Sequence, residues 1–210
     1  MNSIKRLNAY CESLTSPVSP VLEELERETH LKTLSPQMLC GRLQGQLLRL
    51  LSELKKPGSI LEIGTFTGYA SICLAMGLPE NGVLHTIEVN PELTYLSRKY
   101  FEKTGLQQKI RLYAGNAKEI IPTLPGPFDI VFIDAGKDDY TFYYDLVFDK
   151  VNPGGLILAD NVLWDGKVAS KASDKDTRTL QEFNRKVHSD SRVEVLMLPV
   201  RDGIMIARKL

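Results

Sequence analysis

Leu61-Glu62-Ile63-Gly64-Thr65-Phe66-Thr67-Gly68-Tyr69 is an apolar run that ends on an acid, turns through two glycines and restarts as an amphipathic stretch. From Ser59 onward, short apolar runs alternate with such stretches, which predicts strand and helix in alternation. The expected strands are Ser59 to Ile63, Val83 to Glu88, Ile110 to Tyr113, Phe128 to Ile133 and Gly155 to Ala159. The expected helices run about Tyr69 to Met76, Pro91 to Thr104, Ala117 to Ile121, Asp138 to Lys150 and Asp176 to Ser189. Most of the strands are nearly continuous apolar runs, as when helices cover both faces of a parallel sheet. Upstream, Ser3 to Leu14, Pro20 to Leu31 and Pro36 to Leu54 have helical spacing. Downstream, Arg192 to Leu198 and Gly203 to Arg208 are strand-like runs joined by Pro199 to Asp202 with no helix between, so they should pair antiparallel. The expectation is an α/β, doubly wound, mostly parallel sheet with a C-terminal antiparallel hairpin. It forms a single domain over 1–210, with an N-terminal helical cap (1–56) that covers the core or dimerises and a catalytic core (57–210).

Composition narrows the function classes. Of 210 residues, 26 are Lys or Arg and 26 are Asp or Glu, so the formal net charge is zero and no overall field draws the chain to nucleic acid or anionic lipid. The three cysteines, Cys11, Cys40 and Cys73, are far apart and free of Cys-x-x-Cys spacing, which supports neither a disulfide framework nor a zinc ribbon. No apolar run approaches the ~20 residues that span a bilayer, and Met1 to Tyr10 lacks the apolar core of a signal peptide. The expected location is cytoplasmic.

Ligands of such a sheet bind beyond the carboxyl ends of its strands, beside the first strand. Gly64 and Gly68 permit a tight turn there and leave backbone N–H groups exposed to a ligand. The pattern is Glu-x-Gly-x-x-x-Gly, without the Gly-x-Gly-x-x-Gly approach that a dinucleotide pyrophosphate exploits. Glu62 would repel a pyrophosphate but suits a ligand bearing an ammonium and a sulfonium. Glu88 ends the next strand, where an acid accepts hydrogen bonds from ribose hydroxyls; its plainer reading is an exposed strand-end charge. Together the two acids favour S-adenosylmethionine over NAD. Asn116 and Ala117, after the third strand, are placed beside the adenine ring.

The fourth strand runs into Asp134-Ala135-Gly136-Lys137-Asp138-Asp139-Tyr140 and the fifth into Asp160-Asn161. Asp134, Asp160 and Asn161 thus share one edge, and three oxygen donors make a hard site for Mg²⁺, Mn²⁺ or Ca²⁺. Strand-end Asp and Asn also form caps and turns, which is the alternative reading. His30, His85 and His188 have no metal-ligand spacing. Lys137 is placed to reach the same pocket, or else is a solvated lysine. Methyl transfer to a phenol needs a phenolate, and a phenol with pKa ~10 is almost wholly protonated at neutral pH. A divalent metal chelated by two neighbouring hydroxyls lowers that pKa and fixes the oxygen, and an amine beside it can take the proton.

These residues resemble the cation-dependent O-methyltransferases that include the caffeoyl-coenzyme A and catechol enzymes, in their bacterial branch. The resemblance runs from about Pro36 to the C-terminus and rests on the segments at Leu61 to Tyr69 and Phe132 to Tyr140. It rests also on Asp160-Asn161-Val162-Leu163-Trp164-Asp165-Gly166 and Leu198-Pro199-Val200-Arg201-Asp202-Gly203. It implies the Rossmann-like S-adenosylmethionine-dependent methyltransferase fold, with metal binding by Asp134, Asp160 and Asn161 and a catalytic base at Lys137. It further implies cofactor contacts from Met38, Glu62, Gly64, Thr65, Phe66, Gly68, Ala70, Ser71, Glu88, Asn116, Ala117 and Asp134. Trp164, Asp165 and Lys137 would bind an aromatic vicinal diol, and the chain would form a homodimer. Trp164 could alternatively be core; the polar segment Asp165 to Lys175 behind it is a candidate lid. The chain departs from the family's usual residues at Ala70, where many relatives have serine, and at Gly136, where many have an acid. Cys40, Gly41 and Asp165 also differ from the plant enzymes, so a coenzyme A ester preference is not carried over.

Other readings are an NAD(P)-dependent oxidoreductase on a similar sheet, opposed by the missing dinucleotide motif, and a non-catalytic cofactor-binding protein, opposed by the intact Asp134, Asp160, Asn161 and Lys137. Methylation of a modified tRNA base hydroxyl is a third. Zero net charge argues against it, although Lys5, Arg6 and Arg42 could form a local basic patch.

Overall fold

The computed structural model describes residues 3–171 and 174–210. Its centre is a seven-stranded sheet in the order β3-β2-β1-β4-β5-β7-β6. The strands are β1 (Ser59–Ile63), β2 (Val83–Glu88), β3 (Ile110–Ala114), β4 (Phe128–Ile133), β5 (Val151–Asp160), β6 (Val193–Leu198) and β7 (Ile204–Lys209). All neighbours from β3 through β5 are parallel, and β7 runs antiparallel to both β5 and β6. The strand order therefore reverses between β1 and β4, the place where open α/β sheets take their ligands.

The helices are α1 (Ser3–Leu14), α2 (Pro20–Lys32), α3 (Gly41–Lys55), α4 (Tyr69–Ala75), α5 (Thr94–Lys103), α6 (Ala117–Ile120), α7 (Tyr140–Phe148) and α8 (Lys175–Ser189). Side chains alternate across a strand, so β1 feeds two cores: Leu61 and Ile63 pack with α6, α7 and α8, and Ile60 packs with α2, α3, α4 and α5. By the same alternation Glu62 shares the face of Ile60, beneath α4.

Several boundaries differ from expectation. The single helix expected over Pro36 to Leu54 is two elements, a 3-10 turn Pro36–Met38 and then α3. Between them Leu39 is extended and Gly41 has φ +71°, so Leu39 and Cys40 turn inward and are buried while Met38 stays 58% exposed. Leu39 and Leu43 keep helical spacing across this break, which is why spacing alone misses it. The helices expected from Pro91 and Asp138 each begin with a 3-10 turn, Pro91–Leu93 and Lys137–Asp139, a common tightening at helix starts. Strand β5 starts at Val151, before the expected Gly155, because the turn-like Asn152-Pro153-Gly154-Gly155 is absorbed as an irregularity between the Phe128↔Val151 and Ile130↔Leu156 pairs.

Candidate active site

The turn after β1 is held by contacts its own sequence dictates. Gly64 has φ +103°, and a Cβ there would lie 1.9 Å from the Asp134 carbonyl oxygen, so only glycine lets the end of β4 come this close. The Gly64 and Thr65 amides both donate to the Ile87 carbonyl, tying the turn to β2. Thr65 and Thr86 hydroxyls meet at 2.5 Å, and Thr86 donates to Glu62 Oε2 at 2.5 Å. The Ser71 hydroxyl donates to the same oxygen. Thr29 of α2 donates to Thr67 at 3.0 Å, which ties the N-terminal helices to the turn.

Glu62 and Ser71 are fully buried behind the turn and bonded to each other; Glu62 Oε1 has no partner. Burial pushes the Glu62 carboxyl up to about 8, against the pull of the Ser71 and Thr86 hydroxyls. Glu88 lies at the end of β2 as expected, but it is buried rather than exposed. Its Oε2 accepts the Phe66 amide at 2.7 Å and its Oε1 the Asn90 amide at 2.8 Å. A carboxylate has about four acceptor sites, so capacity for two hydroxyls remains. Phe66 stands at φ +50°, half-buried, and Gly68 begins α4 at φ +92°. Ala70 and Ala117 are buried, and exposed Asn116 caps α6 by accepting the Lys118 amide at 3.0 Å.

At the neighbouring edge, β4 and β5 bring Asp134, Asp160 and Asn161 together, as expected from their positions. Lys137 Nζ donates to Asn161 Oδ1 at 2.5 Å and to Tyr140 Oη at 2.7 Å, and lies 3.6 Å from Asp134 Oδ1. It is therefore no free surface lysine. Tyr140, fully buried, passes its own hydroxyl hydrogen to the Asp160 carbonyl at 3.0 Å. The Lys137 ammonium also faces the Trp164 ring, 5.8 Å from its centroid, and Trp164 is half-buried beside this cluster.

Burial, and next the charge of Asp160, hold the Asp134 carboxyl above its ordinary range, while Lys137 and Arg201 pull it down. That like-charge stress is what a divalent cation relieves, and the donors fit one: two carboxylates and the Asn161 carboxamide, all oxygen. No three His, Cys, Asp or Glu side chains converge on a metal site among the described residues, so a cation held here would need the Asn161 amide oxygen as well.

Sequence reasoning missed Tyr140, Arg201 and Asp202. Tyr140 could have been found three residues after Lys137, one turn on. Asp202 accepts the Asp165 amide, and its carbonyl accepts the Leu163 amide at 2.9 Å, so the β6–β7 turn buttresses the loop that carries Trp164. Asp165 itself is exposed, and within the candidate lid residues 172 and 173 lie outside the described residues. Of the basic patch, the Lys5 side chain lies outside them too; Arg6 is exposed, and Arg42 is tied to the Thr15 and Ser16 carbonyls. No helix among the described residues is long and apolar enough to cross a membrane.

Known proteins resemble this chain in sequence and in fold. The chain is 38% identical over 174 residues to a catechol O-methyltransferase of Niastella koreensis, covering 78% of this chain and 79% of that one. It is 34% identical over 180 residues to caffeoyl-CoA O-methyltransferase 2 of Populus trichocarpa, covering 80% and 73%. Among solved structures, a Podospora anserina methyltransferase with SAH bound superposes with TM-score 0.90 at 29% identity, over 100% of this chain and 97% of that one. An O-methyltransferase of Streptomyces achromogenes involved in tomaymycin synthesis, in complex with SAM, gives TM-score 0.90 at 29% identity, over 100% and 99%. Residues 12–210 match the O-methyltransferase family, and with these likenesses the chain belongs to it.

Proposed function

We propose that the chain transfers a methyl group from S-adenosylmethionine to one hydroxyl of a catechol-like or hydroxycinnamate-like aromatic vicinal diol, with Mg²⁺, Mn²⁺ or Ca²⁺ at Asp134, Asp160 and Asn161. The observation that carries the reading is Lys137 Nζ, a cation already lodged among these oxygens at 2.5 Å from Asn161 Oδ1 and 3.6 Å from Asp134 Oδ1. The relatives' catechol and caffeoyl-CoA names and the bound SAM and SAH of the structural neighbours support it.

When bound, S-adenosylmethionine supplies the electrophilic methyl group and the divalent ion acidifies and fixes the acceptor hydroxyl. Glu88 orients the cofactor's ribose, the turn from Gly64 to Gly68 and Met38, Ala70, Asn116 and Ala117 enclose the rest, and Glu62 and Ser71 set the turn from behind. As the neutral amine, its own extra proton first released to solvent, Lys137 Nζ takes the proton of the attacking hydroxyl, positioned by Tyr140 and Asn161, while Trp164 and Asp165 form the wall against the acceptor ring.

As an organisation we propose one domain, with 57–210 carrying the chemistry and 1–56 covering it, in a cytoplasmic homodimer. Exposed Leu7, Tyr10 and Leu14 on α1 and Leu50 and Leu54 on α3 support the dimer, since such apolar surface favours a partner.

Incubation with S-adenosylmethionine, Mg²⁺ and a panel of catechols, hydroxycinnamates and tRNA, followed by S-adenosylhomocysteine release and product mass, tests the function. Catechols should be methylated, excess chelator should stop turnover, and Asp160→Ala should lose activity while staying folded. Full turnover in chelator would remove the metal from the mechanism, and methylation of tRNA alone would replace the acceptor class.

A further inference from the structure

A cavity of about 540 Å³ lies between α1, α2, the segment from Pro36 to Arg42 and the β6–β7 turn. Its wall carries Glu12, Glu26, His30, Arg42 and Arg201. Arg42 is committed to the Thr15 and Ser16 carbonyls. Arg201 is not: its hydrogen bonds are long, 3.4 Å to Gln44 Oε1 and 3.5 Å to the Gln37 carbonyl, and it makes no ion pair among the described residues. A guanidinium has five donors in a planar fork suited to a carboxylate, so most of its capacity is unspent.

Two further observations concern Arg201. Behind it, outside the cavity lining, Gln44 is fully buried, and its Nε2 has no hydrogen-bond partner while its Oε1 faces Arg201. Buried amide donors in folded proteins are nearly always paired, so an orphan beside an underused guanidinium points to a missing acceptor. The Arg201 backbone stands at φ +51°, a left-handed conformation that costs an L-residue energy and that collects at functional sites. The turn also joins the cavity to the catalytic edge. The next residue, Asp202, holds the Asp165 amide beside Trp164, and the charge of Arg201 acts on Asp134.

We propose that the methyl acceptor carries a carboxylate on the substituent of its aromatic ring, and that Arg201 is the specificity-determining group that binds it as the substituent enters this cavity. The proposal rests on the methyl-transfer reading above and narrows its substrate class. Glu12 and Glu26 on the α1 and α2 side would favour an ammonium instead, but Arg201 is the cavity charge carried by the turn that buttresses the Trp164 loop.

The test compares 3,4-dihydroxyphenylpropionate, its uncharged carboxamide and 3,4-dihydroxyphenethylamine as acceptors, with S-adenosylmethionine and Mg²⁺, for the wild type, Arg201→Gln and Arg201→Lys. The wild type should prefer the acid over the amide by roughly 10- to 100-fold in kcat/KM, mostly through KM, the scale of a charged hydrogen bond. In Arg201→Gln that ratio should fall to near one, and Arg201→Lys should keep part of it. Equal use of acid and amide by the wild type, a preference that survives Arg201→Gln, or a preference for the amine would each overturn the proposal. If no catechol turns over, the methyl-transfer reading has failed; calorimetry of the acid with wild type and Arg201→Gln then decides the binding inference by itself.

Discussion

The carbonyl oxygen of Asp134 lies 1.9 Å from the point where a side chain on Gly64 would begin. The turn after β1 and the end of β4 are thus in backbone contact, and the proposed cofactor and metal sites share one wall. Gly64→Ala should push the two strand ends apart and also strain a residue at φ +103°, costing about 1 to 3 kcal/mol from the backbone alone. Denaturant unfolding should show that loss, and S-adenosylhomocysteine affinity and metal affinity should fall together. Wild-type values for both would show that the contact is slack.

Glu62 predicts a pH-dependent stability. Its buried carboxyl is raised to about 8 in the folded chain from 4.5, so the folded state holds a proton that the unfolded state has released between these values. The stabilisation is complete below the unfolded pKa and is lost as pH rises toward about 8. Unfolding of the ligand-free protein measured from pH 5 to 8 should therefore show a falling contribution with a slope of up to about 1.4 kcal/mol per pH unit. Glu62→Gln keeps a neutral, hydrogen-bonding side chain and should flatten that contribution. An unchanged slope in the variant would place the titration elsewhere.

Lys137→Met separates a proton acceptor from a structural cation. Methionine keeps most of the apolar stem beside Tyr140 and Trp164 but removes the amine, so cofactor binding should survive. The catalytic rate with a catechol should fall by roughly 10² to 10⁴-fold at neutral pH, and the deficit should shrink at higher pH, where the acceptor ionises unaided. Near wild-type rates across the pH range would make the lysine a bystander.

Local pattern determined much of this protein. The strand runs, the glycines of the β1 turn, the antiparallel ending and the acids at the ends of β4 and β5 follow from side-chain alternation, turn chemistry and the rule that parallel strands present their ends on one side. Those features are legible because each depends on residues within a few positions of one another. The partners of those residues are not. That Lys137 meets Asn161, that Glu62 turns beneath α4 to Thr86, and that Arg201 faces Gln44 are decided by segments far apart in sequence. The break at Leu39 to Gly41 and the insertion of β7 between β5 and β6 belong to the same class. Spacing specifies which face of an element is apolar; which surface it is buried against, and so which polar groups meet across it, is chosen only when the sheet and its covering helices close together.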